Sequence, residues 1–288
     1  MFTLLVQSIR PAQWTKNGLL FAGLIFSKQL DNPSLAARAF AGFVIFCAIS
    51  GCVYILNDVL DREKDRLHPI KSKRPIASGA LSVSVAMTGA VILCAGGLFS
   101  AFMIHTVFGW IATAYLLMMI AYGFVLKKIV ILDVLVIALG FVLRAVAGAE
   151  IVNVSISSWL LTCTIFLALF LALSKRRHEI QMLGDKASGH RTNLLEYSPT
   201  FIDQMIAVVT ASTVMAYALY TTSVETIEKF GTRNLIYTLP FVLYGIFRYL
   251  FLVHIRQEGG SPERVLLRDK PMILNVALYL MVTFIILY

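Results

Sequence analysis

Charge is scarce in this chain. Only 14% of its 288 residues are Asp, Glu, Lys or Arg, while 58% are hydrophobic and the mean hydropathy is +0.79. Soluble domains carry about 25% charged and roughly 45–50% apolar residues. That balance excludes a soluble protein built on one conventional core and indicates an integral membrane protein whose outer surface is solvated by lipid. Cysteine is sparse too. Cys47, Cys52, Cys94 and Cys163 fall inside apolar runs, with no CxxC and no His pairing, so neither a zinc site nor a disulfide framework is supported. The N-terminus has no basic stretch followed by a short apolar run and a small-residue cleavage site, so no removed signal peptide is expected. No connection between apolar runs is long enough for a soluble domain, and residues 1–288 read as one membrane domain.

What the chain has is apolar runs of membrane length. A span needs about 20 apolar residues, and candidates fall at 17–33, 36–56, 81–101, 104–126, 130–149, 157–174, 203–222, 234–253 and 271–288. The expectation is an all-α polytopic bundle of nine transmembrane helices, the first being the weakest because Lys16 and Lys28 trim it. Basic residues alternate between the connections. One set carries Arg10, Lys16, the cluster 62–74, Lys127, Lys128, the basic residues of 175–191, and Arg256, Arg264, Arg268 and Lys270. The other carries only Lys28, Arg38, Lys229 and Arg233. The excess of Lys and Arg marks the cytoplasmic side, which places the N-terminus in the cytoplasm of a cell-membrane protein and the C-terminus outside. The formal net charge of +9 is then accounted for by topology and anion handling, with no nucleic acid needed.

The stretch Asn57–Gly79 concentrates four acids and six Lys or Arg between two apolar runs. Read as a helix continuing out of the preceding span, Asn57, Asp61 and Asp65 lie one turn apart on one face, with Asp58 beside them. Like charges stacked in this way need cations between them. Oxygen-only ligands suit Mg²⁺, which is usually held by one or two carboxylates together with substrate phosphates. Arg66, His68, Lys71, Lys73 and Arg74 follow as phosphate donors. Pro69, Pro75 and Gly79 break the helix, so the basic part is expected to fold back over the acidic face. Acidic column and basic loop together read as a Mg²⁺–diphosphate site, against the plainer reading of a solvated loop between spans.

Two further charges lie in Asp133–Glu150. Asp133 at the mouth of its span is a candidate extra metal ligand. Arg144 sits at membrane depth, where a charge is costly and faces a cavity or the bundle interior; it lines the cavity as a phosphate partner, or it belongs to an ion pair between helices. Lys175 and Arg176, in the cluster that ends the sixth span, are candidates for a phosphate-binding rim, with positive-inside anchoring as the plain alternative. Lys16, near Arg10, Gln13, Trp14 and Asn17, and the pair Tyr122 and Lys127 are further candidate substrate contacts. The segments 197–203 and 258–268 read as loop. A secondary transporter would keep its polar site near the midplane in paired broken helices, whereas here polar residues crowd one face.

These motifs resemble the UbiA superfamily of intramembrane prenyltransferases. The residues that carry the likeness are Asn57-Asp58-x-x-Asp61-x-x-x-Asp65, with RPAQWTKN at Arg10–Asn17, the stretch Asp61–Gly79, DVLVIALGFVLRAVAGA at Asp133–Ala149 and SKRRHE at Ser174–Glu179. The resemblance implies a UbiA-type helical bundle, a Mg²⁺ cofactor held by Asn57, Asp58, Asp61 and Asp65, and catalytic roles for Asp58, Asp61, Asp65 and Asp133. It further implies substrate contacts from Lys16, Asn57, Lys71, Lys73, Arg74, Tyr122, Lys127, Arg144, Lys175 and Arg176. The family's aromatic prenyltransferases usually carry a second pair of aspartates four apart, but here Ile137 stands four residues after Asp133. That departure resembles the branch that moves 5-phosphoribose from phosphoribosyl diphosphate to a polyprenyl phosphate. Transfer of a prenyl group from a prenyl diphosphate to an aromatic or lipid acceptor is the alternative. Membrane lipids are the remaining expected partner.

Overall fold

The structure is a computed structural model that describes residues 1–27, 29–183, 196–256, 265 and 267–287. Lys28, Lys186, Arg191 and Arg264, used above for orientation, lie outside the described residues. The described chain is helical, with no β-strand among those residues. Its α-helices are α1 (Phe2–Ser8), α2 (Ala22–Ile25), α3 (Pro33–Leu60), α4 (Arg62–Arg66), α5 (Val83–Ile104), α6 (Thr106–Phe124), α7 (Leu132–Ile151), α8 (Ser158–Leu183), α9 (Pro199–Thr222), α10 (Val224–Phe230), α11 (Leu239–His254) and α12 (Lys270–Leu287). Among the described residues, eight helical stretches are long and apolar enough to cross a membrane.

The first expected span differs from the rest. Residues 17–33 do not form one α-helix; a 3-10 helix over Pro11–Phe21 runs into the four-residue α2. A 3-10 helix rises about 2 Å per residue against 1.5 Å for an α-helix. The segment Pro11–Ile25 is therefore roughly 28 Å long, close to the hydrocarbon thickness of a bilayer.

Local signals explain where the long helices begin. Pro33 and Pro199 occupy first-turn positions that need no N–H, and Asn32 and Ser198 cap the same turns through their side-chain oxygens. The expectation of loop over 197–203 is corrected by the second of these: Ser198-Pro199 is a helix start, and Asp203 is already helical.

The chain forms two compact units, Met1–Val136 with Gly140–Ile156, and Ile137–Leu139 with Ser157–Tyr288. The first has a core of Leu20, Phe46, Ile49, Phe108, Ala112, Tyr115, Ala147 and Ile151. Small residues let backbones touch there. A Cβ on Gly148 would fall 2.1 Å from the Leu20 carbonyl oxygen, and one on Gly23 would fall 2.8 Å from the Ala149 Cα. The Pro11–Ile25 segment is thus pressed directly onto α7, as small residues permit in membrane proteins.

In the second unit, Asp269 ties two helices. Its carboxylate accepts from Arg248 Nε at 3.1 Å and Nη2 at 2.8 Å, and from the Met272 backbone N–H at 2.9 Å, which caps α12. The Arg248 hydrogen bonds, aided by the Met272 N–H, hold its carboxyl below the usual carboxylate range. A lowered folded-state pKa means stability that is present above the ordinary value, about 3.9, and is lost as pH falls through the folded value. Asp269→Asn keeps a capping oxygen but loses the charge that faces Arg248, and is expected to cost about 1 kcal/mol at pH 7. Thermal unfolding of the purified protein at pH 7 and in acid should show the gap between wild type and variant shrinking with acid.

Candidate functional site

The site grows out of the end of α3. The expected unbroken helix from Asn57 to Asp65 is corrected: α3 stops at Leu60, Asp61 takes φ −94° and ψ 8°, and α4 starts at Arg62. Asp61 N–H still reaches the Asn57 carbonyl at 2.9 Å, and Asp65 N–H the Asp61 carbonyl at 2.8 Å. The four-residue backbone spacing therefore survives the break, while the side chains separate into two sets.

Asp58 and Asp65, seven residues and two turns apart, form the buried set. Their side chains are 3% and 5% exposed, and both accept from one nitrogen of Arg74, whose Nη1 lies 3.0 Å from Asp58 Oδ1 and 2.5 Å from Asp65 Oδ2. Arg10 Nη2 donates to the same Asp58 oxygen, and its guanidinium lies 5.2 Å from the centre of the Tyr54 ring. Asp61 forms the other set; both its oxygens accept from Lys127 Nζ, at 2.9 and 3.0 Å. Asn57 stands against α6, where a Cβ on Gly123 would fall 2.5 Å from its Oδ1. The single acidic column expected from the sequence is thus a pair plus a separate acid, because the turn at Asp61 rotates α4 relative to α3.

The basic loop does fold back over the acids. Lys71–Lys73 make a 3-10 turn, Arg66 Nε donates to the Ala77 carbonyl at 3.1 Å, and Arg74 extends from the loop to both buried carboxylates. Lys71 is half-buried and Lys73 exposed; Lys16 is half-buried in the 3-10 segment, Tyr122 is buried on α6, and Asp133 is wholly buried at the start of α7. Lys175 and Arg176 belong to α8 in the second unit, where Arg176 is paired with Glu179 one turn on.

Arg144 is the largest departure from the sequence reading. It is 5% exposed and lies in no ion pair among the described residues, which corrects the alternative of an inter-helix ion pair. Its Nε donates to Asn17 Oδ1 at 2.7 Å, Nη1 to the Gly140 carbonyl at 2.9 Å and Nη2 to the Tyr115 hydroxyl at 2.6 Å. Neutral oxygens take all three bonds.

Arg10, read from the sequence only as one of the polar donors grouped at the entry to the first span, pairs with buried Asp58 in the structure. Its backbone is left-handed, with φ 52° and ψ 71°, a conformation that costs a non-glycine residue about 1–3 kcal/mol and clusters at functional places. The available signal was an Arg-Pro pair at the entry to an apolar run, with its partner 48 residues away.

A divalent cation fits this donor set. Two buried carboxylates already share one positive group, and two carboxylates plus ligand phosphates is the usual way of holding Mg²⁺. No three acidic, His or Cys side chains form a complete cage among the described residues, so phosphate oxygens would have to finish the coordination. Donors suited to such an anion are present. The Trp14 indole N–H and Arg62 Nε, on the segments that carry Arg10 and Asp61, are buried without an acceptor among the described residues.

The profile of the UbiA prenyltransferase family matches residues 18–269. Decaprenyl-phosphate phosphoribosyltransferase of Mycobacterium tuberculosis (strain CDC 1551 / Oshkosh) is 30% identical over 269 residues, spanning 92% of this chain and 88% of that protein. The enzyme of the same name from Corynebacterium glutamicum is 31% identical over 271 residues, 92% of this chain and 81% of that protein. Among solved structures, a UbiA homologue from Archaeoglobus fulgidus bound to GPP and Mg²⁺ superposes with a TM-score of 0.74 at 22% identity, covering 99% of both chains.

Proposed function

The chain belongs to the UbiA prenyltransferase family and is a transferase, and on that premise we propose that it moves 5-phosphoribose from phosphoribosyl diphosphate to a polyprenyl phosphate. The observation that carries the reading is the convergence of buried Asp58 and Asp65 on a single cationic nitrogen at the end of a membrane span. The choice of donor and acceptor is supported by relatives about 30% identical over most of the chain, which are decaprenyl-phosphate phosphoribosyltransferases. Magnesium is supported by the ion bound with GPP in the A. fulgidus homologue. The Lys and Arg distribution favours the cytoplasmic face for the site.

Asn57, Asp58, Asp61 and Asp65 would hold Mg²⁺, with Asp133 as a further candidate. Bound there, it would neutralise charge growing on the diphosphate as the ribose C1–O bond breaks. The chain's own cations serve the same anion. Arg10, Arg74 and Lys127 hold the acids here, and would be free to meet the donor phosphates once a metal took the acids. Lys71 and Lys73 add donors from the loop; Lys16 and Tyr122 are proposed as further substrate contacts. The diphosphate departs with the C1–O electron pair, and an oxygen of the acceptor phosphate forms the new bond to C1. A phosphate monoester is largely ionised near neutral pH, so no general base is required.

Purified protein incubated with labelled phosphoribosyl diphosphate and polyprenyl phosphate is expected to yield a labelled lipid that disappears when EDTA removes the metal. Absence of that lipid, with product formed instead from labelled geranyl diphosphate and an aromatic or lipid acceptor, would assign the chain to prenyl transfer.

A further inference from the structure

We infer that Arg144 is a positioning residue for the carboxylate site, acting through the Pro11–Phe21 segment on Arg10. The inference rests on the metal–diphosphate reading of that site.

A guanidinium buried at membrane depth is costly. Replacing a buried charge by an apolar side chain of similar volume is often neutral or stabilising, so packing alone gives no reason for Arg144. Its partners do. The planar fork joins Asn17 of the 3-10 segment, Tyr115 of α6 and the Gly140 carbonyl of its own helix, and it stacks 4.6 Å from the centre of the Tyr115 ring. Asn17 passes the contact on, its Nδ2 donating to Ser50 Oγ at 3.2 Å and Cys47 Sγ at 3.3 Å on α3. One side chain thereby fixes the 3-10 segment against both helices beside it.

Seven residues upstream on that segment is Arg10, with its strained backbone and its guanidinium on Asp58. The segment is held at two places, Asn17 and Arg10. Releasing the Asn17 end lets the segment shift along α3 and relaxes Arg10 out of its left-handed conformation. Arg10 then leaves Asp58, the carboxylate it shares with Arg74. A lysine at 144 keeps the charge but cannot make three bonds in a fixed fork, so geometry and charge are separable.

Loosening Arg10 has effects of opposite sign on the two ligands. Asp58 loses a competitor, so a divalent cation alone binds more tightly. A diphosphate loses a positioned donor, so it binds more weakly. A purely structural lesion weakens both.

The test uses the full chain in lipid nanodiscs, comparing Arg144→Lys, Asn17→Ala, Arg10→Gln and the double variant Arg10→Gln/Arg144→Lys. Mn²⁺ titration followed by electron paramagnetic resonance, donor KM, and amide hydrogen exchange over residues 10–21 are the readouts. Arg144→Lys and Asn17→Ala are expected to raise exchange in that segment about tenfold. Both should tighten Mn²⁺ several-fold and raise donor KM about tenfold, as Arg10→Gln does, and the double variant should be no worse than Arg10→Gln alone. Unchanged exchange over 10–21 in Arg144→Lys overturns the inference. So does a double variant whose KM effect is the product of the two single effects, which would place Arg144 on the substrate itself. If wild type binds no Mn²⁺, the reading of the carboxylate site fails on its own, and the exchange experiment still decides whether Arg144 sets the segment.

Discussion

Asp61→Asn is expected to lower turnover by about 100-fold or more while the protein still folds, binds lipid and elutes as wild type. The amide keeps the shape but replaces one of the two oxygens that accept from Lys127 by a donor and removes a charge from the proposed metal–diphosphate site, and electrostatic contacts of this kind are commonly worth about 10²–10³ in rate. The fold should tolerate the change because Asp61 is the least buried of the three acids, with 31% of its side chain exposed, and its lost partner is one lysine. The pair is partly buried, with 12% of the lysine side chain exposed, and its loss is expected to cost about 1 kcal/mol, the upper end for ion pairs near the surface. Asp58→Asn should lose activity and stability together, since the Arg10 and Arg74 guanidinium groups both lean on its Oδ1. Initial rates and thermal unfolding on the same preparations separate the two cases. Wild-type turnover in Asp61→Asn would remove that residue from the site.

Gly148→Ala is expected to give the largest loss of stability of any single methyl addition in the first unit, about 3 kcal/mol or more, the upper range for overpacking. The added carbon would fall 2.1 Å from the Leu20 oxygen and 2.5 Å from the Leu20 Cα. Those are backbone atoms, so no rotamer change relieves the clash, and α7 would have to part from the segment it supports. Gly96→Ala is the control. A Cβ there meets nothing within 4 Å, and alanine is favoured over glycine inside a helix by about 1 kcal/mol. Midpoints of thermal unfolding in one detergent should fall for the first and hold or rise for the second.

Much of the fold and of the candidate site is legible in the sequence. The apolar runs became the long helices because run length and charge-free composition are local properties of the chain. Pro69, Pro75 and Gly79 marked the fold-back of the basic loop for the same reason, and the acids were found by spacing. Three things were not local. The turn at Asp61 decides that Asp58 pairs with Asp65, and nothing in a column of four-residue repeats announces a single residue leaving helical geometry. The 3-10 form of Pro11–Phe21 brings Leu20 against the backbone of Gly148 on α7, a contact between segments far apart in the chain. Two of the three neutral partners of Arg144 come from residues 29 and 127 positions away, beyond the reach of any window. The Ser198-Pro199 helix start, by contrast, was a local signal and could have been read.

One nitrogen of Arg74 serves two carboxylates, and it can be surrendered only once. A divalent ion arriving by itself must evict that group from both acids and leave it stranded at the edge of the bilayer. An ion that arrives in company with a diphosphate brings the evicted arginine somewhere new to settle. A lone divalent ion is therefore expected to bind weakly, and metal and donor to bind more tightly together than apart, a cooperativity that needs no movement of domains.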